Sequence, residues 1–359
     1  MATRNHYGVI LAGGRGTRFW PRSRRRSPKQ LLSFLNTRSL LWNTVERLQP
    51  LVPPERIWVL TSDELRRQVM RELPEVPGRQ VVAEPAARNT GPCIALAAQI
   101  LAGLDPDAVL GIFPADHHVE RPSRLRRVVR AAFKEAEKGS LVVVGINPRW
   151  PETGYGYVEF PKDATPGSLA PVPVLRFREK PDQSTAQEYV AARRFYWNSG
   201  MFFWRADVFL DAFRRHLPKT ASLLARLPRF GARTFPRQLA ELYPCAESIS
   251  VDYAVLEKAA GVMGLAAEEF GWNDLGSWRA VYELLAAKPG ANVTRTDALL
   301  IASQGAYVDA PGKLAVLLGC DNLVVVDTPD ALLIADRARA QQVGDVVRVL
   351  EKLKRDDLL

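Results

Sequence analysis

The stretch YGVILAGGRGTRFWPRSRRRSPKQ, residues 7–30, joins a short apolar run to a glycine-rich turn. Residues 9–12 are apolar throughout and predict a buried β-strand. A glycine-rich turn directly after a first strand is typical of phosphate binding, because glycine lets backbone N–H groups approach the anion closely. This turn is followed by a dense run of arginines and is closed by Pro28 and Lys29. We therefore expect it to bind a highly charged phosphate.

Two common phosphate-binding loops do not fit this stretch. A P-loop needs GxxxxGK[ST], and no Lys-Ser or Lys-Thr pair follows these glycines. A dinucleotide-binding fingerprint needs a glycine where Phe19 stands and an acidic residue about twenty positions further on, and the candidate Asp63 lies too far along the chain. What remains is GGxGTR followed by PK, in which Arg18 and Lys29 supply fixed positive charge.

The first half of the chain alternates strand-like and helix-like segments. Apolar runs predict β-strands at residues 9–12, 57–61, 81–83, 110–114 and 141–146. Helices are predicted between them at residues 40–49, 64–73, 90–102 and 125–138. This alternation favours an α/β fold with a mostly parallel sheet covered by helices on both faces. Ligands bind such sheets at the carboxyl ends of the strands, where the glycine turn, Glu84 and Asp116 follow the first, third and fourth strands.

The second half mixes antiparallel strand signals with helices, and its end is rich in short β segments. TGYGYVEF, VLRFREK and GMFFWR predict strands, and helices are predicted at residues 250–260 and 277–287. DALLIA occurs at residues 297–302 and again at 330–335. The two copies fit successive turns of a small β-coil or a pseudo-symmetric β-domain, although coincidence explains them nearly as well. We predict a main domain over residues 1–288 and a β-coil-like domain over 289–359, which ends in a helix at 338–354 and offers a contact for a second subunit.

The composition indicates an ordinary soluble globular protein, with 47% hydrophobic and 25% charged residues among 359. No apolar run approaches the length of a membrane span, and the start MATRNHYG lacks a signal-peptide core, so we expect a cytoplasmic protein without membrane contact. Cys93, Cys245 and Cys320 are scattered, which argues against a disulfide framework or a zinc site.

The formal net charge of +10 raises the question of nucleic acid as a partner. Most arginines are dispersed, and the one dense cluster, residues 22–26, lies inside the glycine-rich loop. Attraction of a polyanionic small substrate explains this cluster at least as well, so we expect no nucleic-acid partner and interpret most of the cluster as solvated charge.

The whole segment LAGGRGTRFWPRSRRRSPKQ resembles the signature of the sugar-nucleotide pyrophosphorylases, which join a nucleoside triphosphate to a sugar 1-phosphate and release pyrophosphate. Its W-P-x-S-R…P-K-Q ending is similar, more narrowly, to the mannose-1-phosphate guanylyltransferase branch, which implies GTP and mannose 1-phosphate as substrates and GDP-mannose as product. The resemblance is strong over residues 7–287. It implies a Rossmann-like nucleotidyltransferase domain of the nucleotide-diphospho-sugar transferase type. From the small C-terminal β-rich domain and its contact for a second subunit, we expect a homodimer.

By this resemblance, the signature loop binds the triphosphate of the nucleotide. Arg18 and Lys29 would contact the β- and γ-phosphates and stabilise the pyrophosphate leaving group. The other nucleotide-binding residues that the loop implies are Leu11, Ala12, Gly13, Gly14, Gly16 and Thr17.

The segment EPAARNTGP resembles the base-binding wall of the family, which implies Glu84, Pro85, Arg88, Asn89 and Thr90 as nucleotide-binding residues. A carboxylate such as Glu84 accepts both guanine donors, N1–H and the exocyclic amine, whereas uracil and thymine offer one ring N–H. Asn89 and Thr90 also suit the cap of the following helix. Arg88 has an alternative role in reaching a phosphate.

Two aspartates, Asp116 in FPADHHV and Asp274 in GWNDLGSW, are candidate Mg²⁺ ligands. Mg²⁺ prefers oxygen ligands and takes few from the protein. The resemblance implies that both aspartates meet at the metal and hold it against the α-phosphate. Each has a plainer alternative, because Asp116 suits a turn and Asp274 precedes a helix for which Ser277 is a cap. His117 and His118 would form a poor zinc site.

The sugar side resembles the family in four short motifs of the second half. TGYGY allows close approach to a sugar ring, REKP offers Glu179 for hydroxyls and Lys180 for the 1-phosphate, WNSGMF offers Asn198, and SVDYAVLEK offers Asp252. The implied sugar-phosphate-binding residues are Gly154, Tyr155, Gly156, Glu179, Lys180, Asn198, Ser199, Gly200 and Asp252.

The implied chemistry is an in-line attack of the sugar phosphate on the α-phosphorus of GTP, which needs no covalent intermediate or general base. The catalytic residues would be Arg18, Lys29, Asp116, Lys180 and Asp274. Two alternatives stay open. The same chemistry with another base or sugar would make a thymidylyl- or uridylyltransferase, and loss of catalysis would leave a regulator that only binds sugar nucleotides.

Overall fold

The computed structural model describes residues 5–359, so part of the segment MATRNHYG lies outside the described residues. In the first half the strands are β1 His6–Ala12, β2 Ile57–Ser62, β3 Val81–Glu84, β4 Val109–Pro114, β5 His118–Val119, β6 Val142–Ile146, β7 Tyr157–Glu159, β8 Val172–Pro173 and β9 Arg176–Arg178. They continue as β10 Phe195–Arg205, β11 Met263–Ala266, β12 Trp272–Asn273, β13 Val293–Thr294, β14 Ala298–Ile301, β15 Tyr307–Asp309, β16 Ala315–Leu318, β17 Leu323–Asp327 and β18 Leu332–Asp336.

Helices lie in the predicted segments 40–49, 64–73, 90–102, 125–138, 277–287 and 338–354, and further helices that were not predicted lie between residues 183 and 242. They are α1 Leu40–Leu48, α2 Arg66–Glu72, α3 Thr90–Leu104, α4 Pro122–Ala136, α5 Gln183–Ala192, α6 Ala206–His216, α7 Pro218–Leu224, α8 Phe235–Leu242, α9 Trp278–Leu285 and α10 Val343–Lys352. The segment predicted as a helix at 250–260 forms instead a short π-helical turn, Asp252–Leu256. Among residues 5–359, no helix combines the length and the apolar character needed to cross a membrane.

The chain packs into two compact units. The first contains residues 5–13, 44–115 and 119–272, and the second contains 14–43, 116–118 and 273–359. The arginine-rich loop therefore packs with the C-terminal segment. The predicted domain boundary after residue 288, which divides the chain differently, stays a prediction.

The first unit is built on the predicted α/β sheet, whose order is β3-β2-β1-β4-β10-β6-β11-β8. The strands β3, β2, β1 and β4 are parallel, and β1 lies between β2 and β4 with Ile10 opposite Val59 and Phe113. Both Val9 and Ile10 are fully buried, because a strand covered on two faces needs apolar side chains on both. Strand β10 is antiparallel to β4 and β6, and it carries the motif WNSGMF into the middle of the sheet.

The C-terminal part of the second unit is β-rich and forms a short coil. Strands β13, β15 and β17 are parallel neighbours, and β14 pairs in parallel with β16, so that Ala298 lies beside Ala315. The last strand, β18, is antiparallel to β17. The two DALLIA copies thus lie in different sheets, β14 and β18, with opposite relations to their neighbours. The repeat does not mark equivalent turns of the coil.

The core of the second unit is an aromatic cluster that joins the signature loop to α9 and the coil. The rings of Phe19, Phe34 and Trp278 lie 4.7 to 5.8 Å apart, and Tyr307 packs 5.4 Å from Trp278. Trp278 also donates from its indole N–H to the carbonyl oxygen of Trp20 at 3.1 Å. The loop that follows the glycine turn is thereby anchored to this core.

Candidate active site

The glycine-rich turn brings Gly16 directly against Lys29. Gly16 adopts a left-handed conformation with φ of 62°, and a Cβ added there would lie 2.3 Å from the Cβ of Lys29. Any side chain at this position would be strained and would also collide with the lysine. The glycine thus allows the loop to fold back over Lys29.

Lys29 is buried, with 6% of its surface exposed, and it links the two predicted metal ligands. Its Nζ donates to Oδ2 of Asp116 at 2.9 Å and to the backbone carbonyl oxygen of Asp274. The ring of Phe19 lies 5.7 Å from the ammonium. A buried ammonium needs such partners, because an uncompensated charge is costly away from water. The structure therefore brings Lys29 together with the Asp116 carboxylate and the backbone of Asp274, two residues that the family resemblance places at one metal.

The electrostatic environment keeps the Asp116 carboxylate ionised. Its packing against protein atoms would by itself raise the pKa, but Lys29 and, to a lesser degree, His117 reverse this effect and hold the pKa of Asp116 below its ordinary value. The imidazole Nε2 of His117 lies 4.0 Å from Oδ1 of Asp116. Asp116 is thus available as an anion across the neutral pH range.

A tight turn positions Asp274. Asn273 accepts a hydrogen bond from the N–H of Leu275 at 2.7 Å, and Leu275, which is fully buried, has a left-handed φ of 49°. Such strain in a residue other than glycine persists only where the surroundings enforce it, and it concentrates at functional sites. Helix α9 begins at Trp278, and the Ser277 side chain makes no capping hydrogen bond to it. Ser277 is therefore at the predicted N-cap position, without a side-chain hydrogen bond to the helix.

The donor set around Lys29 fits Mg²⁺ better than zinc. In the described part of the chain, no group of three or more His, Cys, Asp or Glu side chains is arranged to hold a metal ion. Two carboxylates suit Mg²⁺, since this ion keeps several waters or substrate oxygens beside one or two protein ligands. Asp116 and Asp274 are the residues that would provide them.

Arg18 has a partner that the sequence does not predict. Its Nη1 donates to Oε1 of Gln341 at 2.7 Å, and its side-chain carbons lie against Gly344. A guanidinium has five N–H donors, so this contact leaves others for a phosphate.

The predicted base wall is organised around Glu84, which ends β3. The buried Tyr243 hydroxyl donates to Oε1 of Glu84, and the Cys93 thiol is a second donor to the same carboxylate. Burial raises the pKa of Glu84, and these two donors offset part of that increase. The other oxygen, Oε2, lies 3.7 Å from where a Cβ on Gly13 would be. Oε1 therefore has a protein donor in Tyr243, and Oε2 lies near Gly13.

The remaining base-wall residues shape the start of α3. The Asn89 side chain accepts from the N–H of Thr90 at 2.8 Å, and the Thr90 hydroxyl accepts from the N–H of Val251 at 2.9 Å. These two residues therefore have structural roles at the helix start. Arg88 donates to the carbonyl oxygen of Pro244, and its buried Nε has no partner among the described residues. Pro85 is exposed beside them.

The predicted sugar residues form one cluster in the first unit. A Cβ on Gly156 would lie 2.3 Å from Oε2 of Glu179 and 3.3 Å from the Cβ of Asn198, so only glycine admits both neighbours. The Asn198 amide donates to Oδ1 of Asp252 at 2.9 Å, and the N–H of Lys180 donates to the carbonyl oxygen of Tyr155 at 3.2 Å.

The flanking residues of these motifs support the cluster. Gly200 donates its N–H to Asn198 at 3.1 Å, and Gly154 donates to Glu152 at 2.9 Å. Ser199 is fully buried, and its hydroxyl accepts from the N–H of Met201 at 3.2 Å.

Acidic groups face one another in the sugar cluster. Burial raises the pKa of Asp252 to about 6, and the nearby Glu179 carboxylate adds to the effect, while Asn198 opposes it. Burial likewise raises the pKa of Glu179, although the ammonium of Lys180 lies 3.3 Å away. Hydroxyl-rich ligands suit such a cluster, because carboxylates and amides accept and donate in fixed directions.

A cavity of about 1060 Å³ lies elsewhere in the first unit, beside β3 and the segment 230–240. Trp58, Phe230 and Arg66 line it, and of the predicted site residues only Pro85 does so. This cavity is therefore separate from the residues that carry the chemistry.

Sequence reasoning missed Tyr243, Glu257 and Gln341, and it did not predict the ion pairs of Arg22 and Arg24. Tyr243 contacts Glu84 from a segment with no motif of its own, and Glu257, which lies within SVDYAVLEK, accepts from the N–H of Glu179 at 3.2 Å. In the cluster at 22–26, Arg25 and Arg26 are exposed, whereas Arg22 and Arg24 form ion pairs within the second unit. Nothing in a run of arginines identifies carboxylates almost 300 residues away.

The α/β fold and the glycine-rich turn after its first strand are features of a nucleotidyltransferase. Residues 7–289 match the Nucleotidyl transferase family, and residues 296–350 match the MannoseP isomerase/GMP-like beta-helix domain. The chain belongs to the nucleotidyl transferase family, and the resemblance of its signature loop is confirmed.

Its relatives within that family include proteins named mannose-1-phosphate guanylyltransferase. A putative mannose-1-phosphate guanylyltransferase of Vibrio cholerae is 38% identical over 97% of this chain and 74% of its own length. A mannose-1-phosphate guanylyltransferase of Escherichia coli is 36% identical over the same shares of the two chains. The alginate biosynthesis protein AlgA of Pseudomonas aeruginosa is 36% identical over 97% of this chain and 73% of its own.

Solved structures support the predicted fold class. A Thermus thermophilus protein described as a mannose-1-phosphate geranyltransferase superposes with a TM-score of 0.86 at 34% identity, covering 97% of this chain and 99% of that one. A UDP-glucose pyrophosphorylase complexed with UDP-glucose has a TM-score of 0.52 at 15% identity, over 79% of this chain and 97% of that one. The second likeness concerns the fold alone.

Proposed function

We propose that this protein transfers the guanylyl group of GTP to α-D-mannose 1-phosphate, forming GDP-mannose and pyrophosphate. The observation that carries the proposal is the convergence of Lys29, Asp116 and Asp274 behind a glycine-rich turn. The guanylyltransferase names of relatives that align over nearly the whole chain support the choice of substrates.

The phosphate residues act by position and charge. A phosphate oxygen of the sugar attacks the α-phosphorus of GTP in line, and pyrophosphate leaves. Lys29, itself buried and held by hydrogen bonds to Asp116 and Asp274, stabilises the charge that develops on the leaving group, and Arg18 adds a second cation. Lys180, whose side chain is 60% exposed, orients the sugar 1-phosphate. No proton has to be removed from the nucleophile, because a phosphate is already ionised.

Asp116 and Asp274 would hold Mg²⁺, which when bound neutralises phosphate charge. Both residues belong to the same compact unit as Lys29. In the protein as described, the Lys29 ammonium neutralises the Asp116 carboxylate. We therefore expect Mg²⁺ and Lys29 to share the negative charge of Asp116 when the metal is present.

Specificity is assigned to the first unit. Glu84 accepts from the guanine edge with the oxygen that Tyr243 leaves available. Glu179, Asn198 and Asp252 accept and donate hydrogen bonds to sugar hydroxyls.

The direct test is pyrophosphate release measured with GTP, UTP, dTTP and ATP, each combined with mannose 1-phosphate and glucose 1-phosphate, with and without Mg²⁺. We expect release with GTP and mannose 1-phosphate in Mg²⁺. Turnover only with UTP or dTTP would assign a different nucleotide, and binding without turnover in every combination would indicate a regulator.

We also propose a homodimer in the cytoplasm. The outer face of the β14–β16 ladder exposes Leu299, Ile301, Val316 and Leu318 by 46 to 67%. A contiguous apolar face of this kind marks a contact surface, and a second copy of the chain is the partner we propose. The cytoplasmic location is supported by the nucleotide substrate proposed above.

A further inference from the structure

The arginine run after the glycine turn is bound to the C-terminal coil. The Arg22 guanidinium makes a two-pronged contact with Asp309, with Nε 3.0 Å from Oδ2 and Nη2 2.6 Å from Oδ1. The two side chains are 33% and 15% exposed. Paired, parallel hydrogen bonds of this kind fix orientation as well as distance. Asp309 is the last residue of β15, so its carboxylate is presented by a strand.

A second contact holds the next arginine of the loop. Arg24 pairs with Asp330 at 2.9 Å and donates to the carbonyl oxygen of Leu358, while its guanidinium lies 5.4 Å above the Trp20 ring. The indole N–H of Trp20 donates to the same carbonyl oxygen at 3.0 Å. The loop is thus bound to the coil and to the end of the chain.

The contact at Arg22 is coupled to the lysine of the site. Ser23, the next residue, is 3% exposed, and its hydroxyl donates to the carbonyl oxygen of Arg15 at 2.8 Å. The same hydroxyl lies 3.1 Å from where a Cβ on Gly16 would be, next to the point where Gly16 meets Lys29. A short series of packed residues therefore joins Asp309 to the phosphate turn.

The neighbouring pair Arg25–Asp356 provides a built-in comparison. It has a similar length, 2.9 Å, but its side chains are 42% and 70% exposed. An exposed pair is screened by water and salt, whereas the less exposed, two-pronged pair is screened less. We expect the two pairs to differ in effect although they bind the same loop.

We propose that Asp309 is a positioning residue for the phosphate-binding loop: through Arg22 it fixes the turn that places Lys29 against the leaving pyrophosphate. This inference rests on the proposed function for the identity of the phosphate. The C-terminal coil is on this view part of the active-site support, because its carboxylate holds the loop in the orientation that binds.

The test compares Asp309→Asn with Asp356→Asn as the matched control. Inorganic pyrophosphate binding, followed by calorimetry, reports on the loop without requiring turnover. We expect Asp309→Asn to weaken pyrophosphate binding by about tenfold or more and to lower kcat, because small displacements of a binding group are costly. Asp356→Asn should stay within about twofold of the unchanged protein. Equal pyrophosphate binding by Asp309→Asn and the unchanged protein would overturn the proposal.

A charge-exchanged double variant, Arg22→Asp with Asp309→Arg, distinguishes loss of positioning from loss of folding. If Asp309→Asn unfolds by circular dichroism, the double variant carries the test alone. Recovery of pyrophosphate binding in a folded double variant supports the positioning role, and a folded double variant without binding overturns it. If the unchanged protein binds pyrophosphate but does not turn over GTP, the proposed function fails while this comparison still stands.

Discussion

Lys29 shows how a single residue can organise a phosphate site. Its ammonium is held by a carboxylate and a carbonyl from two distant parts of the chain, Asp116 and Asp274, under the ring of Phe19. A surface lysine would sample many positions and would lose that freedom on binding. The buried lysine has already lost this freedom on folding, so under the proposed function its charge is in place before the phosphates bind.

The first prediction concerns this lysine. Lys29→Ala should lower turnover by about 10²-fold or more, since it removes a fixed charge from the leaving group. Pyrophosphate release at saturating substrates measures the loss, and circular dichroism checks the fold. Lys138→Ala is the matched control, because Lys138 is 60% exposed and pairs with Glu135 at 2.7 Å. Near-normal turnover in a folded Lys29→Ala variant would remove this residue from the mechanism.

The second prediction concerns Tyr243, whose hydroxyl donates to Oε1 of Glu84. Tyr243→Phe leaves that oxygen without this donor in a buried setting, so the carboxylate loses its orientation and its pKa rises further. We expect kcat/KM for GTP to fall by about tenfold, with a smaller loss for ITP, which lacks the exocyclic amine. Tyr196→Phe serves as control, because the Tyr196 hydroxyl makes only a 3.5 Å contact with Ala164. An unchanged GTP-to-ITP ratio would argue against Tyr243 as a specificity residue.

At the scale of secondary-structure elements, tight turns such as the one at Gly16 fix the positions of site residues. Gly16→Ala should lower the free energy of unfolding by about 1–3 kcal/mol, because it forces a left-handed alanine against Lys29. Gly14→Ala is the matched comparison, since a Cβ at Gly14 would meet nothing within 4 Å. We expect it to change stability by less than about 0.5 kcal/mol. Urea unfolding measures both, and equal losses would contradict the assigned role of Gly16.

The sugar cluster predicts a pH-dependent stability. The pKa of Asp252 is raised to about 6, so the folded protein binds this proton more tightly than the unfolded chain does. The penalty for ionising Asp252 therefore grows as the pH rises from about 4 to about 6 and is constant above that. Asp252→Asn removes this penalty, so we expect the variant to have a higher free energy of unfolding than the unchanged protein. The difference should increase from about pH 4 to about pH 6 and reach at most about 3 kcal/mol.

Urea unfolding at pH 5 and pH 7.5 checks this sign. Asp211→Asn, at an exposed side chain paired with Arg214, is the control. A gain for Asp252→Asn that is the same at both pH values would show that Asp252 does not titrate between them.

Elements with a strong local pattern could be predicted from the sequence, and those defined by distant contacts could not. Three strands were predictable because fully buried strands are apolar throughout. They are β1, β3 and β4, which lead to the glycine turn, to Glu84 and to Asp116. The antiparallel position of β10 between β4 and β6 was not, since strand order depends on packing across the whole sheet. The proximity of Asp116 and Asp274 was implied by family resemblance, whereas the partners of Lys29, Arg22 and Glu84 required coordinates.

The whole molecule carries one further expectation, the contact between two copies. Leu299 and Val316 are neighbours across β14 and β16, as are Ile301 and Leu318, and all four point outward. Ile301→Lys with Leu318→Lys should convert a dimer into a monomer, because the buried apolar area would then carry unpaired charge. Light scattering after gel filtration measures the mass. Leu104→Lys, at a leucine 45% exposed in the first unit, is the control.

A dimer that persists in the double lysine variant would place the subunit contact on another face. A monomer already in the unchanged protein would remove the proposed homodimer and leave the apolar face without an assigned partner.

The pairing of Arg22 with Asp309 also has a consequence for the evolution of this sequence. A recombination event that exchanged only the C-terminal coil would separate the arginine from its carboxylate and leave the signature loop with an unmatched charge. Substitutions at the two positions should therefore have changed together in the lineage of this protein. The signature loop can be recognised from its sequence alone, yet in this chain it is bound to a partner almost 290 residues away.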